Sequence, residues 1–514
     1  MDAFDSSALV DSLTWLKAEM LLTCVGFVVL GLAATLPDGR RHWAAWVALI
    51  GVIATGAVVV SYLPGVAFGA DKVAGGVEIG GFADGSGRPA FLADGFSLVF
   101  KIIFLIGAAL CILMSVRFLD WEGAQSGEFY AVVLFAVVGM MLLASGNDFA
   151  TIYIGLETMA LSSYVLVGYT KGSRRSNEAA LKYLILGALA SGILLYGFSL
   201  VYGATGSFNL DGIVNAISAG TAGPRSLLHL GVVLVLVGLG FKIAAVPFHM
   251  WVPDAYEGAP TPVAAFLSTA AKAGAFAMLL RIFLRGFHDL AGDWTPLVVV
   301  LSVASMTLGN VVAIVQDNVK RMLAYSSIAH VGYVLMGLIA AGAAGGDPAA
   351  GRSGMTSVVL YLLIYTFTNM GAFGLVTLLR REDVAGDRIE DFRGLSRTNP
   401  LAAAAMVVFL LSLAGIPCTA GFIGKWWLFR AAIQAHYAWL AVVAVLNTVV
   451  SLYYYARVVV AMYMEPAGDA RPVPVPTGMR VALIVALVFT LAIGLYPQPF
   501  IRLAELAQLP VLGG

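Results

Sequence analysis

About fourteen apolar stretches, each near twenty residues long, recur along the chain and decide what it can fold into. They run approximately 15–36, 43–63, 95–116, 128–146, 148–169, 178–202, 226–249, 261–285, 294–316, 320–341, 355–380, 400–434, 437–464 and 477–498. Crossing a hydrocarbon core of about 30 Å takes roughly 20 helical residues. Inside lipid every backbone N–H and C=O must bond within the protein, which leaves helices or closed barrels. The alternating ten-residue pattern of barrel strands is absent. Only 12% of the residues are charged, about half the share of a soluble domain. The chain is therefore read as an all-α polytopic membrane protein with about 14 transmembrane helices. Zero formal net charge argues against a nucleic-acid partner and leaves the lipid bilayer as the evident surroundings.

Orientation follows from the loop cations. Those after odd-numbered segments (Arg40, Arg41, Arg117, Lys171, Arg174, Arg175, Lys320, Arg321, Arg380, Arg381, Arg388, Arg393, Arg397, Arg471, Arg480) outnumber those on the other side. The positive-inside rule then puts both termini on the periplasmic face of a bacterial inner membrane. The acidic start MDAFDSSALVDSL does not look like a cleaved signal peptide. The Gly-rich stretch 64–94 is expected to be an external loop, and 380–399 an internal one.

The stretch from Tyr164 to Gly168 (YVLVG, segment 5) matches that from Tyr333 to Gly337 (YVLMG, segment 10). Pro247 at the end of segment 7 likewise matches Pro417 inside segment 12. An offset of five segments is odd, so the second copy enters the membrane upside down, as in secondary transporters. The expected layout is an N-terminal group (1–127), two inverted five-helix repeats of segments 4–8 (128–285) and 9–13 (294–464), and a C-terminal helix (465–514), with segments 7 and 12 broken.

Charges within the spans are the informative residues. A lysine or glutamate at bilayer depth costs about 2.5–3.5 kcal/mol on insertion scales and needs a partner or a water path. Glu157 (YIGLETMAL), Lys242 (GLGFKIAAVPFHM), Lys272 (LSTAAKAGAF) and Lys425 (IPCTAGFIGKWW) stand out. Proline removes a backbone donor and opens a helix, so Pro247 and Pro417 set Lys242 and Lys425 beside helix breaks, where backbone is tolerated only against protein or water. Lys272 has no such break beside it. Either lysine at a break can also be read as half of an ion pair that locks helices together. Lys182, four residues inside segment 6, can snorkel to the interface. His249 and His330 titrate near neutrality and are possible proton relays; a buried, hydrogen-bonded histidine is the alternative. Lys101 shows no partner in the sequence, and Arg281 reads as an anchor for the end of segment 8. No Walker A, GxGxxG, HExxH or cysteine cluster is present, so no cofactor and no metal is expected on this chain. Cys24, Cys111 and Cys418 read as small buried apolar side chains.

Four longer motifs carry a resemblance: NEAALKYLILGALASGILLYG (177–197), PFHMWVPDAYEGAPTPVAAF (247–266), KRMLAYSSIAHVGY (320–333) and LSLAGIPCTAGFIGKWWLF (411–429). Over roughly residues 90–465 the chain resembles the antiporter-like membrane subunits of respiratory complex I, with the bacterial subunit N nearest. Subunits of multisubunit cation/proton antiporters and membrane-bound hydrogenases belong to the same superfamily and are the alternative reading. The resemblance implies proton translocation coupled to electron transfer from NADH to quinone, with NADH, FMN, iron–sulfur clusters and quinone on other subunits and with sister antiporter-like and small membrane subunits as partners. It also implies that Glu157 pairs with Lys242, that Lys272 is the central basic residue and Lys425 the terminal one, and that Lys182 lies near the glutamate. The short tail after segment 14 favours subunit N over the sister subunit with a long lateral helix.

Overall fold

A computed structural model describes residues 12–37, 40–68, 80–83, 87–124, 127–343, 348–380, 386–466 and 474–509. Arg381 and Arg471, counted above among the loop cations, lie outside the described residues.

Thirteen helices of the described residues are long and apolar enough to cross a membrane. The first six are α1 (Lys17–Thr35), α2 (Trp43–Phe68), α3 (Gly95–Trp121), α4 (Glu128–Ser145), α5 (Phe149–Val167) and α6 (Arg174–Thr205). Segment 7 is α7 (Arg225–Ile243), followed after an interruption by the short α8 (Trp251–Gly258). Then come α9 (Thr261–Gly286), α10 (Ala291–Ala313), α11 (Val319–Gly342) and α12 (Pro348–Leu379). Segment 12 is two half-length helices, α13 (Pro400–Ala414) and α14 (Ala420–Gln434). The last three are α15 (Ala438–Met464), α16 (Thr477–Leu495) and α17 (Gln498–Glu505). Both breaks thus fall where the prolines place them.

Helix starts follow from side-chain caps, which satisfy amides that have no partner in the first turn. Asp94 accepts from Ser97 N at 2.8 Å, Asp148 from Thr151 N at 2.7 Å, and Asn318 from Arg321 N at 3.0 Å. The 64–94 stretch is not wholly loop: β1 (Gly80–Ala83) pairs antiparallel with β2 (Pro89–Leu92). Asn147 and Asn209 donate to Pro89 O at 3.0 and 2.9 Å and fasten this hairpin to the bundle.

Three spans form the core. The apolar windows of α9 and α12 are wholly buried and that of α11 nearly so, whereas α15 and α16 keep about two thirds of theirs at the protein surface, where lipid can cover it. Small residues let the helices approach. A Cβ at Gly139 (α4) would lie 2.5 Å from Met159 N of α5, and one at Gly309 (α10) 2.6 Å from Ala329 N of α11. Lipid tails are as apolar as the side chains, so close backbone packing of this kind drives helix association in membranes.

Three sequence readings are corrected here. Of the cysteines expected to be buried, Cys111 is, whereas Cys24 and Cys418 are exposed where their segments meet the protein surface. Lys101 has a partner: its Nζ lies 2.7 Å from Glu19 Oε1, both groups buried between α1 and α3. Arg281 does not anchor a helix end; it is fully buried and bonds both Asp94 oxygens, at 2.6 and 3.0 Å, with Nε also donating to Ala144 O at 3.1 Å. The partners come from helices remote in sequence, so neither pair is visible along the chain. Removing one half of a buried pair strands the other charge, at about 3–5 kcal/mol, whereas removing both is far milder. Asp94→Ala is therefore expected to lower the thermal midpoint of the purified protein sharply, and Asp94→Ala with Arg281→Met to recover much of it. A double variant as unstable as the sum of the singles would show that the pair does not act as a unit.

Candidate functional site

The first break begins two residues after Lys242. Ala244 sits in the left-handed region at φ 68°, a conformation that is strained for a non-glycine residue. The backbone groups released there are satisfied from outside the helix: Ser305 Oγ on α10 accepts from Val246 N at 2.9 Å, and Trp251 Nε1 donates to Phe241 O at 2.9 Å. Lys242 is buried, its Nζ 3.5 Å from Tyr164 Oη of α5. Tyr164 packs on Tyr183, which stacks on Trp251, so an aromatic row joins α5 and α6 to the start of α8.

The expected direct contact between Glu157 and Lys242 is not formed. Glu157 Oε1 instead accepts from Ser191 Oγ of α6 at 2.6 Å. Each is met by a hydroxyl: Ser191 bonds Glu157 and Tyr164 contacts Lys242. Lys182 is not near this glutamate either. It is half exposed at the edge of α6 and bonds Glu178 at 2.8 Å and Asp254 of α8 at 2.9 Å. Arg321 closes the same cluster, bonding Asp254 at 2.8 Å and Glu257 at 2.9 Å. Burial favours the neutral form of Asp254, but bonds to Arg321 and Lys182 outweigh it and hold that carboxyl below the usual carboxylate range. Lys320, a loop cation in the sequence, is buried and donates to Glu257 O and Ala259 O at 2.8 and 2.7 Å, capping the end of α8. The cluster thus clamps the free half of the broken helix between α6 and α11.

Lys272 occupies the centre. The sequence shows no break beside it, yet the turn just before it, Leu267–Ala271, is wound as a π-helix. Such a wide turn inside an α-helix re-aims side chains and is frequent at functional sites. Lys272 Nζ donates to Ser327 O of α11 at 3.2 Å and to Ser327 Oγ. One turn along α11, His330 Nδ1 contacts Tyr361 Oη of α12, and His330 Nε2 lies 3.3 Å from Tyr455 Oη, which bonds Ser326.

The second break follows the same plan as the first. Gly415 at φ 84° and Cys418 at φ 69° turn the chain, Ser412 Oγ accepts from Gly421 N at 3.0 Å, and Thr419 Oγ1 donates to Ile416 O at 2.6 Å. Lys425 reaches back across the opening and donates to Ala414 O, the last carbonyl of α13, at 3.0 Å. A cation at a helix C-terminus is favoured by the dipole. A Cβ on Gly415 would lie 2.8 Å from Lys425 Cδ, so glycine leaves the lysine chain its place at this left-handed turn. Lys425 Nζ is also 4.9 Å from the Tyr333 ring centroid, and Tyr333 Oη accepts from Asn310 Nδ2 at 3.1 Å.

Lys272, His330 and Lys425 are thus brought into one buried polar band across α9, α11, α12 and α14, with Lys242 at its far side. His249 is not joined to it. It lies in the first break with Nδ1 buried and unbonded. Sequence reading missed Ser327, Tyr361, Tyr455 and Asn310. Their signal was present as SS three residues before His330 and as polar side chains facing inward from otherwise apolar spans.

The buried cations divide into two kinds. Lys101, Arg281 and Arg285 each pair with a carboxylate, Arg285 with Asp211 at 2.8 Å. Lys242, Lys272, Lys320 and Lys425 have no carboxylate ion pair among the described residues and meet hydroxyls, a ring face or carbonyls, Lys320 as the cap on α8. None of these four is a locked ion pair.

Comparison with known proteins agrees with this geometry. Residues 146–451 match the family described as "NADH:quinone oxidoreductase/Mrp antiporter, TM". The chain belongs to that family. It is 45% identical over 495 residues to NADH-quinone oxidoreductase subunit N 1 of Koribacter versatilis, covering 96% of this chain and 94% of that one. It is 47% identical over 426 residues to subunit N 2 of Rhizobium meliloti, covering 82% and 86%. Among solved structures, a chain of respiratory complex I from Thermus thermophilus with bound aureothin aligns with a TM-score of 0.76 at 34% identity, covering 95% of this chain and all of that one. A chain of the Mrp complex from Dietzia shares the fold, with a TM-score of 0.83 at 24% identity and 97% coverage of each. Of the four motifs noted in the sequence, one lies on α6, one runs from the first break through α8 into α9, one lies on the core helix α11 and one spans the second break.

Proposed function

We propose that this chain is the proton-translocating subunit N of an NADH:quinone oxidoreductase, working beside sister antiporter-like subunits while NADH, FMN, iron–sulfur clusters and quinone are handled elsewhere in the complex. The observation that carries this reading is that three of the four buried lysines without carboxylate ion pairs stand at irregular helix, two at breaks and one after a π-helical turn, while the fourth, Lys320, caps a helix end. An ammonium held by hydroxyls and a carbonyl can lose its proton without stranding a counter-ion, which a paired arginine cannot do.

Protonation would pass from Lys242 through Lys272, with His330 and ordered water, to Lys425. Glu157, screened from Lys242 by no direct bond, would tune its charge from a distance. In this reading segments 4–8 and 9–13 are the two inverted halves, both termini lie outside a bacterial inner membrane, and residues 386–399 face inward.

Two outcomes test the reading. Tagged protein taken from native membranes is expected to bring redox subunits with it, and its isolation without them would remove the chain from this complex. Glu157→Gln keeps shape and deletes the charge. It is expected to depress coupled proton uptake several-fold in reconstituted vesicles, with Glu157→Asp much milder. Lys182→Ala, at the protein edge, is expected to keep most of the activity. A loss on Lys182→Ala equal to that of Glu157→Gln would contradict this ordering.

A further inference from the structure

Two cavities meet at the last turn of α14, at the end of α12 remote from the 386–399 segment. One, of about 560 Å³, is polar and is walled by Arg352 and Ser353 of α12, Arg430 and Gln434 of α14, and Glu505 and Gln508 near the C-terminus. The other, of about 580 Å³, is an apolar trough between α14 and α15 formed by Trp426, Phe429, Val442, Val445 and Leu446. Arg430 and Gln434 line both.

Arg352, Arg430 and Glu505 are exposed, and none forms an ion pair among the described residues. Arg430 rests its guanidinium 5.2 Å from the Trp427 ring centroid. Ser353 Oγ in the same wall is buried with no hydrogen-bond partner. The wall itself is fixed: Gln508 Nε2 donates to Thr356 Oγ1 at 2.9 Å.

We propose that this pair of cavities holds one phospholipid with a phosphoethanolamine headgroup. The phosphate lies between Arg352 and Arg430, where guanidinium donors match its oxygens. The ammonium faces Glu505. An acyl chain runs down the trough, which lies along membrane-spanning helices and carries no charge below Arg430. The zwitterion is the choice made by the walls, since two cations and one anion surround a single polar cavity. The lipid would seal the end of the second broken helix, five residues beyond Lys425, against stray water.

Protein purified from native membranes with its partners, then extracted and counted for lipid by mass spectrometry, provides the test. Arg352→Ala with Arg430→Ala is expected to lose one phosphatidylethanolamine per protein, and Arg352→Lys with Arg430→Lys to retain it. Val445→Trp fills the trough without touching a charge and is expected to lose the same lipid. A photo-crosslinking side chain at Val445 is expected to capture phospholipid. Unchanged lipid counts in both depleted variants, or capture of a protein subunit in place of lipid, would overturn the site. Delipidated wild type is expected to take up phosphatidylethanolamine several-fold better than phosphatidylglycerol; equal uptake would overturn the headgroup assignment.

Discussion

Lys242→Ala is expected to leave the protein assembled while quinone reductase turnover and proton uptake fall together, to about a tenth of wild type or less, the scale of a positioned proton-transfer group. The two readouts fall together because a blocked step stalls a machine whose redox and proton steps are tightly linked. Lys242 makes one long contact, 3.5 Å to Tyr164 Oη, so little of the local packing depends on its charge. Lys242→Met, which fills the same space, separates a cavity effect from loss of the proton. Met is expected to be as damaging as Ala. Turnover and pumping both near wild type in either variant would remove Lys242 from the path.

Lys425 gives the second large effect and the sharper contrast. Its amine bonds the last carbonyl of α13 and its chain fills the space that Gly415 leaves open. Lys425→Arg keeps the charge but retains its proton at any working pH. Lys425→Met keeps the shape but has no proton to exchange. If Lys425 only plugs the break or complements the helix end, one of the two preserves function: Met for shape, Arg for charge. A proton carrier predicts that both fail, each with a loss of about tenfold or more in coupled proton uptake. The assay is redox turnover and proton uptake by reconstituted vesicles carrying each variant. Full pumping by either one would show that exchange of the Lys425 proton is not required.

Much of this site is legible along the chain because lipid makes the rules strict. An apolar run of twenty residues has one solution, a proline inside it has to be answered by a break, and an ionisable residue at that depth is an exception needing a reason. Hence the spans, the openings at Pro247 and Pro417, and the lysines at 242, 272 and 425 are readable one segment at a time.

What pairs with what is not readable in that way. Glu19 with Lys101, and Asp94 with Arg281, look no different in sequence from the unpaired lysines. Their partners sit on helices that meet only after the bundle packs. The same holds for Lys182, which snorkels to Asp254 across a break, and for Glu157, which turns to Ser191 and not to Lys242. The π-helical turn before Lys272 has no proline or glycine to announce it. By itself, then, the sequence determined where the chain crosses the membrane, where it opens, and which charges lie at depth, since those depend on each segment's own exchange with lipid. Only the tertiary structure decided which buried charges are neutralised and which are left to hydroxyls and carbonyls, because that depends on distances between helices that the order of residues does not contain.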